Sequence, residues 1–497
     1  MEKNPPKHKQ TTLDNFFNKS SNRPPLINNS MEIEPEIIIL DDDLSTSNSF
    51  ENLPMPHQNS KLWSIAKPVF SSFASKETKS FKQFFENFFK IVSLTTKEQN
   101  IQNLQAFFSI FSESQRNNFF DVILPFLGLL ALQIETLFKK DQLVKRLVQG
   151  NKGSLVLSKQ KVACLVVHMF FCTFFIDQPK PQKGKKLWGK INKNWNFSGL
   201  FKSSKNFHKN PSKIEKLNCI YHYFERLNNE LLDLQITYIR VNSPMKSLDN
   251  WLFSSKSLKN VDLKDKNFIE TYIQNTIQLD FANKYLGGGV LNTGCVQEEI
   301  RFCINPELLP SMMLFDCLND NEAAILIGTE QYSTYKGYAG TFKYDKDFQD
   351  PADIDKMQKD IVILAIDAHK YQDISKQFTT DEILREINKA YIGFVGDGKY
   401  PEDKNKRAVA TGKWGCGVFK GDPELKFMIQ WLACSESDRE MYFYRMEDQK
   451  LVNAELVIES FIGKPMGVVM QGLLRTCEEI RYRKDKRGVF EIMLSLS

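Results

Sequence analysis

Residues 279–301 read LDFANKYLGGGVLNTGCVQEEIR, and this stretch gathers the residue types that could act on a bond. Asp280 and Asn283 precede three consecutive glycines, Gly287, Gly288 and Gly289; eight residues then separate Gly289 from the adjacent acids Glu298 and Glu299. Without a Cβ, a glycine loop lets backbone N–H groups close on a phosphate. Carboxyl groups can accept hydrogen bonds from sugar hydroxyls and, when burial or a nearby anion raises their pKa, deliver a proton. A phosphate cradle beside carboxyls points to chemistry on a phosphorylated sugar, at a glycosidic bond. Each feature alone is weaker. Three glycines also make a plain turn, and paired acids also open ordinary helices, where they meet the positive end of the dipole. Neighbouring side chains diverge on a strand and stand about 100° apart on a helix, so the two acids have different tasks.

The elements that must hold these residues follow from periodicity. Stretches 277–283, 323–328, 341–345, 360–368 and 441–446 read as strands. Stretches 305–318, 380–395, 423–435, 453–463 and 466–483 read as helices, several opening on a cap or a proline. Residues 244–497 therefore read as an α/β domain with a mixed sheet flanked by helices. In such sheets ligands gather at loops beyond strand ends, which is where the glycine loop falls. Residues 60–243 read as an accessory α-helical domain, because apolar residues recur three and four apart in runs such as KSFKQFFENFFKIV and PSKIEKLNCIYHYFERLNNELL. Two apolar runs in it, 119–138 and 162–176, imitate membrane spans. The first carries Asp121, Pro125, Gln133 and Glu135, and the second falls short of the roughly 20 residues a span needs. Both read as buried helices of a soluble domain, with no membrane partner. The basic stretch 180–190 reads as an exposed loop.

The 497 residues are 42% hydrophobic, enough to build two or three domains with cores of their own. A formal net charge of +6 suits an anionic substrate and equally suits a solvated surface. The nine cysteines include no CxxC pair and read as reduced thiols of an intracellular protein. The six histidines are scattered, so neither a metal site nor any cofactor is expected. His168, in an apolar run, reads as a core residue.

Residues 1–59 are poor in core formers and read as a disordered tail. Two islands interrupt it. In QTTLDNFF, Gln10, Leu13, Phe16 and Phe17 resemble the PIP box that docks on the PCNA sliding clamp; one short turn would set the three apolar side chains on one side as a plug. In IIILDDD, Ile37, Ile38, Ile39 and Leu40 before three aspartates resemble a SUMO-interacting motif, a strand that adds to a sheet edge. A gatekept sticky segment would look the same.

LDFANKYLGGGV followed by QEEIRF resembles the signature of the poly(ADP-ribose) glycohydrolases, as do GTEQYSTYKGYAGTF (328–342) and ATGKWGCGVFKGD (410–422). The resemblance is dense over 248–443 and looser from residue 62. It implies a macrodomain-like fold with a helical accessory domain, and hydrolysis of the ribose–ribose bonds of poly(ADP-ribose), mainly from the chain end, with release of ADP-ribose. By position, Glu299 matches the catalytic acid and Glu298 the residue that holds ribose hydroxyls. Asp280 and Asn283 match residues that order the site, with Gln297 before the acids. Gly287, Gly288 and Gly289 match the diphosphate loop, Gly417, Val418 and Phe419 a second phosphate loop. Ile269 and Glu270 match positions flanking adenine, and Tyr335 and Tyr338 a mobile tyrosine clasp. The resemblance further implies a monomer working in the nucleus in the DNA damage response, with the cytoplasm also open. There are two departures. Lys413 stands where the family pattern has Asn, and the aromatic that stacks on adenine is one of Tyr442, Phe443 and Tyr444. A macrodomain reader that binds ADP-ribose without cutting is the alternative, although a reader has no need of both acids.

Overall fold

The computed structural model describes residues 52–496 apart from 97–99, 140–143, 175–191, 193, 204–210, 230–233, 272–274, 350–360, 402–405 and 483–486. The two tail motifs, with Gln10, Leu13, Phe16, Phe17 and Ile37 to Leu40, lie outside the described residues, as does the basic stretch 180–190.

Ten strands are described: β1 (Gly153–Ser158), β2 (Gln235–Asn242), β3 (Val261–Lys264), β4 (Thr276–Ala282), β5 (Glu322–Ile327), β6 (Ser333–Lys336), β7 (Lys343–Asp347), β8 (Val362–Asp367), β9 (Ala408–Gly412) and β10 (Met441–Tyr444). Eight form one mixed sheet in the order β1-β2-β5-β8-β4-β9-β10-β3, and β6 and β7 make a separate hairpin. From β1 to β8 neighbours run antiparallel; from β8 through β4, β9 and β10 to β3 they run parallel. The C-terminal ends of β4, β8, β9 and β10 therefore share one edge, and their following loops form the crevice where such sheets bind ligands.

One buried apolar cluster lies on each face of this sheet. Ile277 and Leu279 of β4 belong to the cluster with the helices Thr380–Val395 and Pro423–Glu436, while Ala282 belongs to the one holding Ile300 and Phe302. Strand alternation thus turns Gln278, Asp280 and Ala282 toward the helix Gln297–Ile304. Strands buried on both faces are normally apolar throughout. Thr276, Gln278 and Asp280, all buried in β4, depart from that rule, and Asp280 is the one that carries a carboxyl.

The five expected strands appear, within one or two residues at most ends, but 341–345 is displaced: Ala339–Thr341 is a 3-10 turn and β7 starts at Lys343. The helices at 380–395 and 423–435 appear as expected, the first capped by the Thr379 hydroxyl and closed by Gly396 at φ 63°. Stretch 305–318 instead makes two single turns, Pro306–Leu308 and Ser311–Leu314, since its prolines interrupt the helical ladder. The region read as helical contributes β1 and β2 to the main sheet. β1 runs directly into the helix Lys159–Phe170, so its short alternation merges with a helical pattern. Residues 52–59, read as tail, are packed: Leu53 and Met55 are buried, and the Leu53 N–H donates to the Val144 carbonyl at 2.8 Å.

The segment Glu113–Leu137 is long and apolar enough to cross a membrane by length and composition. Here it packs on the helix Ser60–Ala74, so closely that a Cβ on Gly128 would lie 2.8 Å from the Phe70 carbonyl oxygen and the Ala74 nitrogen. His168 is fully buried, its ring nitrogens bonded to Thr173 Oγ1 (2.8 Å) and the Ala131 carbonyl (3.0 Å), and burial pushes its pKa down to about 3. It is a core residue. All nine cysteines are free thiols, and only Cys416 is not buried.

Candidate active site

The acids of the helix Gln297–Ile304 are held by the loop that precedes it. Glu298 accepts the N–H of Asn283 (3.0 Å) on one oxygen and that of Gly287 (2.7 Å) on the other. Glu299 accepts the N–H of Gly289 (2.9 Å) and, folding back over its own helix start, that of Val296 (2.8 Å). Gln297 ties the same turn to β4: its Oε1 accepts from Phe281 N–H (2.8 Å) and its Nε2 donates to the Leu279 carbonyl (3.1 Å). The acids are buried yet satisfied, and both side chains are immobilised.

The glycines are required by space as well as by backbone freedom. Gly287 and Gly288 have φ of 82° and 48°. A Cβ on Gly288 would sit 2.6 Å from an oxygen of both Glu298 and Glu299, and one on Gly294 would sit 2.5 Å from Glu299 Oε1. Glycine loop and carboxyls therefore form one unit, in which the first admits the second.

Beneath the two acids lies Asp280. Among the described residues neither of its oxygens has a hydrogen-bond partner. Burial raises its pKa to about 8, with Glu299 adding to the rise and the Arg301 guanidinium opposing it. Burial, then the Asp280 and Glu299 carboxyls, push Glu298 well above the ordinary carboxylate range, against the pull of the Asn283 and Gly287 N–H groups. Three acids in one buried space cannot all ionise at low cost. Among the described residues no N–H donates to the Asp280 oxygens, whereas Glu298 accepts two. Arg301, fully enclosed, donates to Gln278 Oε1 (2.6 Å) and is the cation that Asp280 and Glu270 share.

The tyrosine loop closes one side. The Tyr338 hydroxyl accepts from the Gln297 N–H (3.2 Å) while the residue stays 52% exposed. The Tyr335 hydroxyl instead donates to Glu270 Oε1 (2.7 Å), and its ring packs between Phe268 and Phe342 at 5.3 and 5.8 Å. Ile269 and Glu270 occupy a buried 3-10 turn, Ile269–Thr271. Ile269 forms a small apolar nest with Ala410 and Tyr444, lined further by Phe281 and Tyr442. The same packing separates the three aromatics of β10 by face. Phe443 points to the other face, onto Phe427 at 4.9 Å, so only Tyr442 and Tyr444 face the crevice side that holds Ile269.

Gly417, Val418 and Phe419 follow β9, which pairs in parallel with β4. Their loop rests on the end of β8: Trp414 Nε1 donates to the Ile366 carbonyl (3.0 Å), and the Phe419 carbonyl accepts from Tyr371 N–H (3.0 Å). Sheet order places this loop beside the glycine loop, and among the described residues no hydrogen bond joins the two. Lys413 is turned to Asp448 (2.9 Å), linking the loops after β9 and β10.

Residues 248–453 match the family model described as poly(ADP-ribose) glycohydrolase, macro domain fold, and residues 111–240 match that of its helical domain. Probable poly(ADP-ribose) glycohydrolase 2 of Arabidopsis thaliana is 31% identical over 476 residues, a match covering 83% of this chain and 89% of that protein. The chain belongs to the poly(ADP-ribose) glycohydrolase family. Poly(ADP-ribose) glycohydrolase 1 of the same plant is 30% identical over 484 residues, covering 81% and 86%. Poly(ADP-ribose) glycohydrolase 2 of Caenorhabditis elegans is 36% identical over 256 residues, 48% of this chain and 51% of that one. The fold expected from the sequence, a macrodomain sheet with a helical domain, is thereby shown, and the protein is a glycohydrolase. The structure brings Asp280, Asn283, the three glycines, Gln297, Glu298, Glu299 and Tyr338 together by direct contact or charge, as one candidate site. Glu270 and Tyr335 join it through Arg301. Arg301 and Gln278 lie against these candidate residues, and the sequence motifs do not single them out. The available signal is the excess of acids: carboxyls crowded into a core demand a buried cation nearby.

Proposed function

We propose that this glycohydrolase cuts the ribose–ribose O-glycosidic bonds of poly(ADP-ribose), mainly from the chain end, and releases ADP-ribose. One observation carries the reading: two adjacent carboxyls on a single helical turn, each accepting one N–H of the glycine loop and one from a residue beside it. In this reading Glu298 accepts the hydroxyls of the ribose and holds the sugar. Glu299 protonates the departing ribose oxygen, so that the C–O bond breaks toward an oxocarbenium-like centre. The same carboxylate then takes a proton from the attacking water, and the bond from water oxygen to the anomeric carbon completes the exchange. Asp280 keeps a proton in the shared carboxyl space, which limits the negative charge there before substrate arrives. Ile269 with Tyr442 or Tyr444 supplies the apolar surface for adenine, and Tyr338, exposed above the helix start, closes over the ligand.

Two further parts of the reading concern the tail. Gln10, Leu13, Phe16 and Phe17 would bring the enzyme to the sliding clamp, and Ile37 to Leu40 to SUMO, in the nucleus. The test of the activity is direct. Poly(ADP-ribose) of defined length is incubated with the protein, and product lengths are followed in time. Accumulating ADP-ribose with gradual shortening supports chain-end hydrolysis. Early mid-length fragments would make it an internal cutter, and binding without shortening would make it a reader.

A further inference from the structure

Lys216 lies on the helix Ser212–Leu227, outside the sheet and far in sequence from the acids, and it is fully buried. Its Nζ donates to the carbonyls of Val290 (3.0 Å), Asn292 (3.1 Å) and Gly294. An ammonium has three N–H donors and no acceptor, and here three carbonyls of one loop receive them. Among the described residues it makes no ion pair, and its hydrogen-bond partners are these three peptide carbonyls.

We propose that Lys216 is a positioning residue for the segment 290–294 that links the diphosphate loop to the acids, and that the helical region acts on the reaction through it. The peptide geometry supports this directly. In a trans peptide the carbonyl and the following N–H point in opposite directions. Three carbonyls converging on Nζ therefore turn the N–H groups of Leu291, Thr293 and Cys295 away from the ammonium. Those three donors therefore face away from a buried positive charge that favours an anion beside them, while the N–H groups of Val290, Asn292 and Gly294 close the loop on the Gly287 and Gly289 carbonyls. Two neighbours reinforce the grip. Asn192 Nδ2 donates to the Leu286 carbonyl (3.3 Å), and Gly199 is pressed on the loop so that a Cβ there would lie 2.4 Å from the Leu291 oxygen.

This inference rests on the proposed diphosphate cradle, and the experiment separates the two. ADP-ribose affinity by calorimetry, and kcat and KM on polymer, are measured for the full chain and for Lys216→Met, which keeps the apolar stem and removes the donors. Lys159→Met serves as the comparison. Lys159 is also buried in the helical region, but it pairs with Glu330 (2.8 Å) and Glu307 (3.4 Å), away from the loop. We expect Lys216→Met to weaken ADP-ribose binding about tenfold or more and to raise KM with a smaller change in kcat, as loss of uniform diphosphate binding does. Lys159→Met should lower thermal stability and leave the affinity of the folded protein unchanged. If Lys216→Met does not fold, Lys216→Arg, which keeps charge but not the donor geometry, is measured instead. Wild-type affinity in either folded variant, or an equal loss in Lys159→Met, overturns the positioning role. Failure of the unaltered protein to bind ADP-ribose would overturn the cradle itself.

Discussion

Changing Glu299 to Gln separates the proton from the shape of the site. The side chain keeps its length, but only one oxygen remains to accept. At present the two oxygens take the Gly289 N–H at 2.9 Å and the Val296 N–H at 2.8 Å. In the variant one of those N–H groups faces an NH2, donor against donor. Leaving a buried donor without an acceptor costs about 1–3 kcal/mol. A domain with about 5–15 kcal/mol of stability remains folded after that loss. The chemical loss is larger. Proton transfer by a positioned side chain contributes about 10²–10⁴-fold, or roughly 3–5 kcal/mol of barrier. ADP-ribose affinity should change little, because the amide still fills the space and still anchors one end of the loop. The assay follows ADP-ribose release from polymer for both proteins, with calorimetric binding of ADP-ribose as the control. Turnover within about threefold of wild type refutes the assignment of Glu299 as proton donor. Affinity falling as far as turnover would instead make Glu299 a binding residue.

Three other perturbations follow from the same geometry. Gly288→Ala places a Cβ 2.6 Å from an oxygen of each acid, at φ 48°, so ADP-ribose binding and turnover should both fall by an order of magnitude or more, while thermal stability falls by only about 1–3 kcal/mol; unchanged turnover would show the loop to be a plain turn. Asp280 is raised from 3.8 to about 8 in the folded protein, so the folded state holds a proton that the unfolded chain gives up between those values. Its contribution is therefore fully favourable below about pH 4, declines as pH rises, and levels off beyond about pH 8. Asp280→Asn should gain on wild type in denaturant stability across that window, and a difference independent of pH would contradict a protonated Asp280. Phe16→Ala combined with Phe17→Ala should abolish binding of the sliding clamp in a pull-down with purified clamp and leave turnover on free polymer unchanged; retained clamp binding would dismiss the tail motif.

Much of this protein is legible in its sequence. The glycine loop, the paired acids and the strand before them are contiguous in 279–301, and local spacing alone brings them within reach of one another. The helices at 380–395 and 423–436 declare themselves through caps and a 3.6-residue apolar period. What tertiary structure decided has a different physical origin. β1 and β2 join the sheet because long-range pairing overrides a helical neighbourhood, and no local period reports that. The face of β10 decides that Tyr442 and Tyr444, and not Phe443, look toward Ile269, a choice that depends on register and is invisible in a run of three aromatics. The raised pKa of Asp280 comes from burial, opposed by Arg301 and helped by Glu299, which is a property of the packed core. Lys216 reaches its loop across 74 residues or more of chain. Sequence thus determined which groups can react and cradle, because those lie close along the chain. The fold decided how they are charged and held, because burial and opposing carbonyls arise only when distant segments meet.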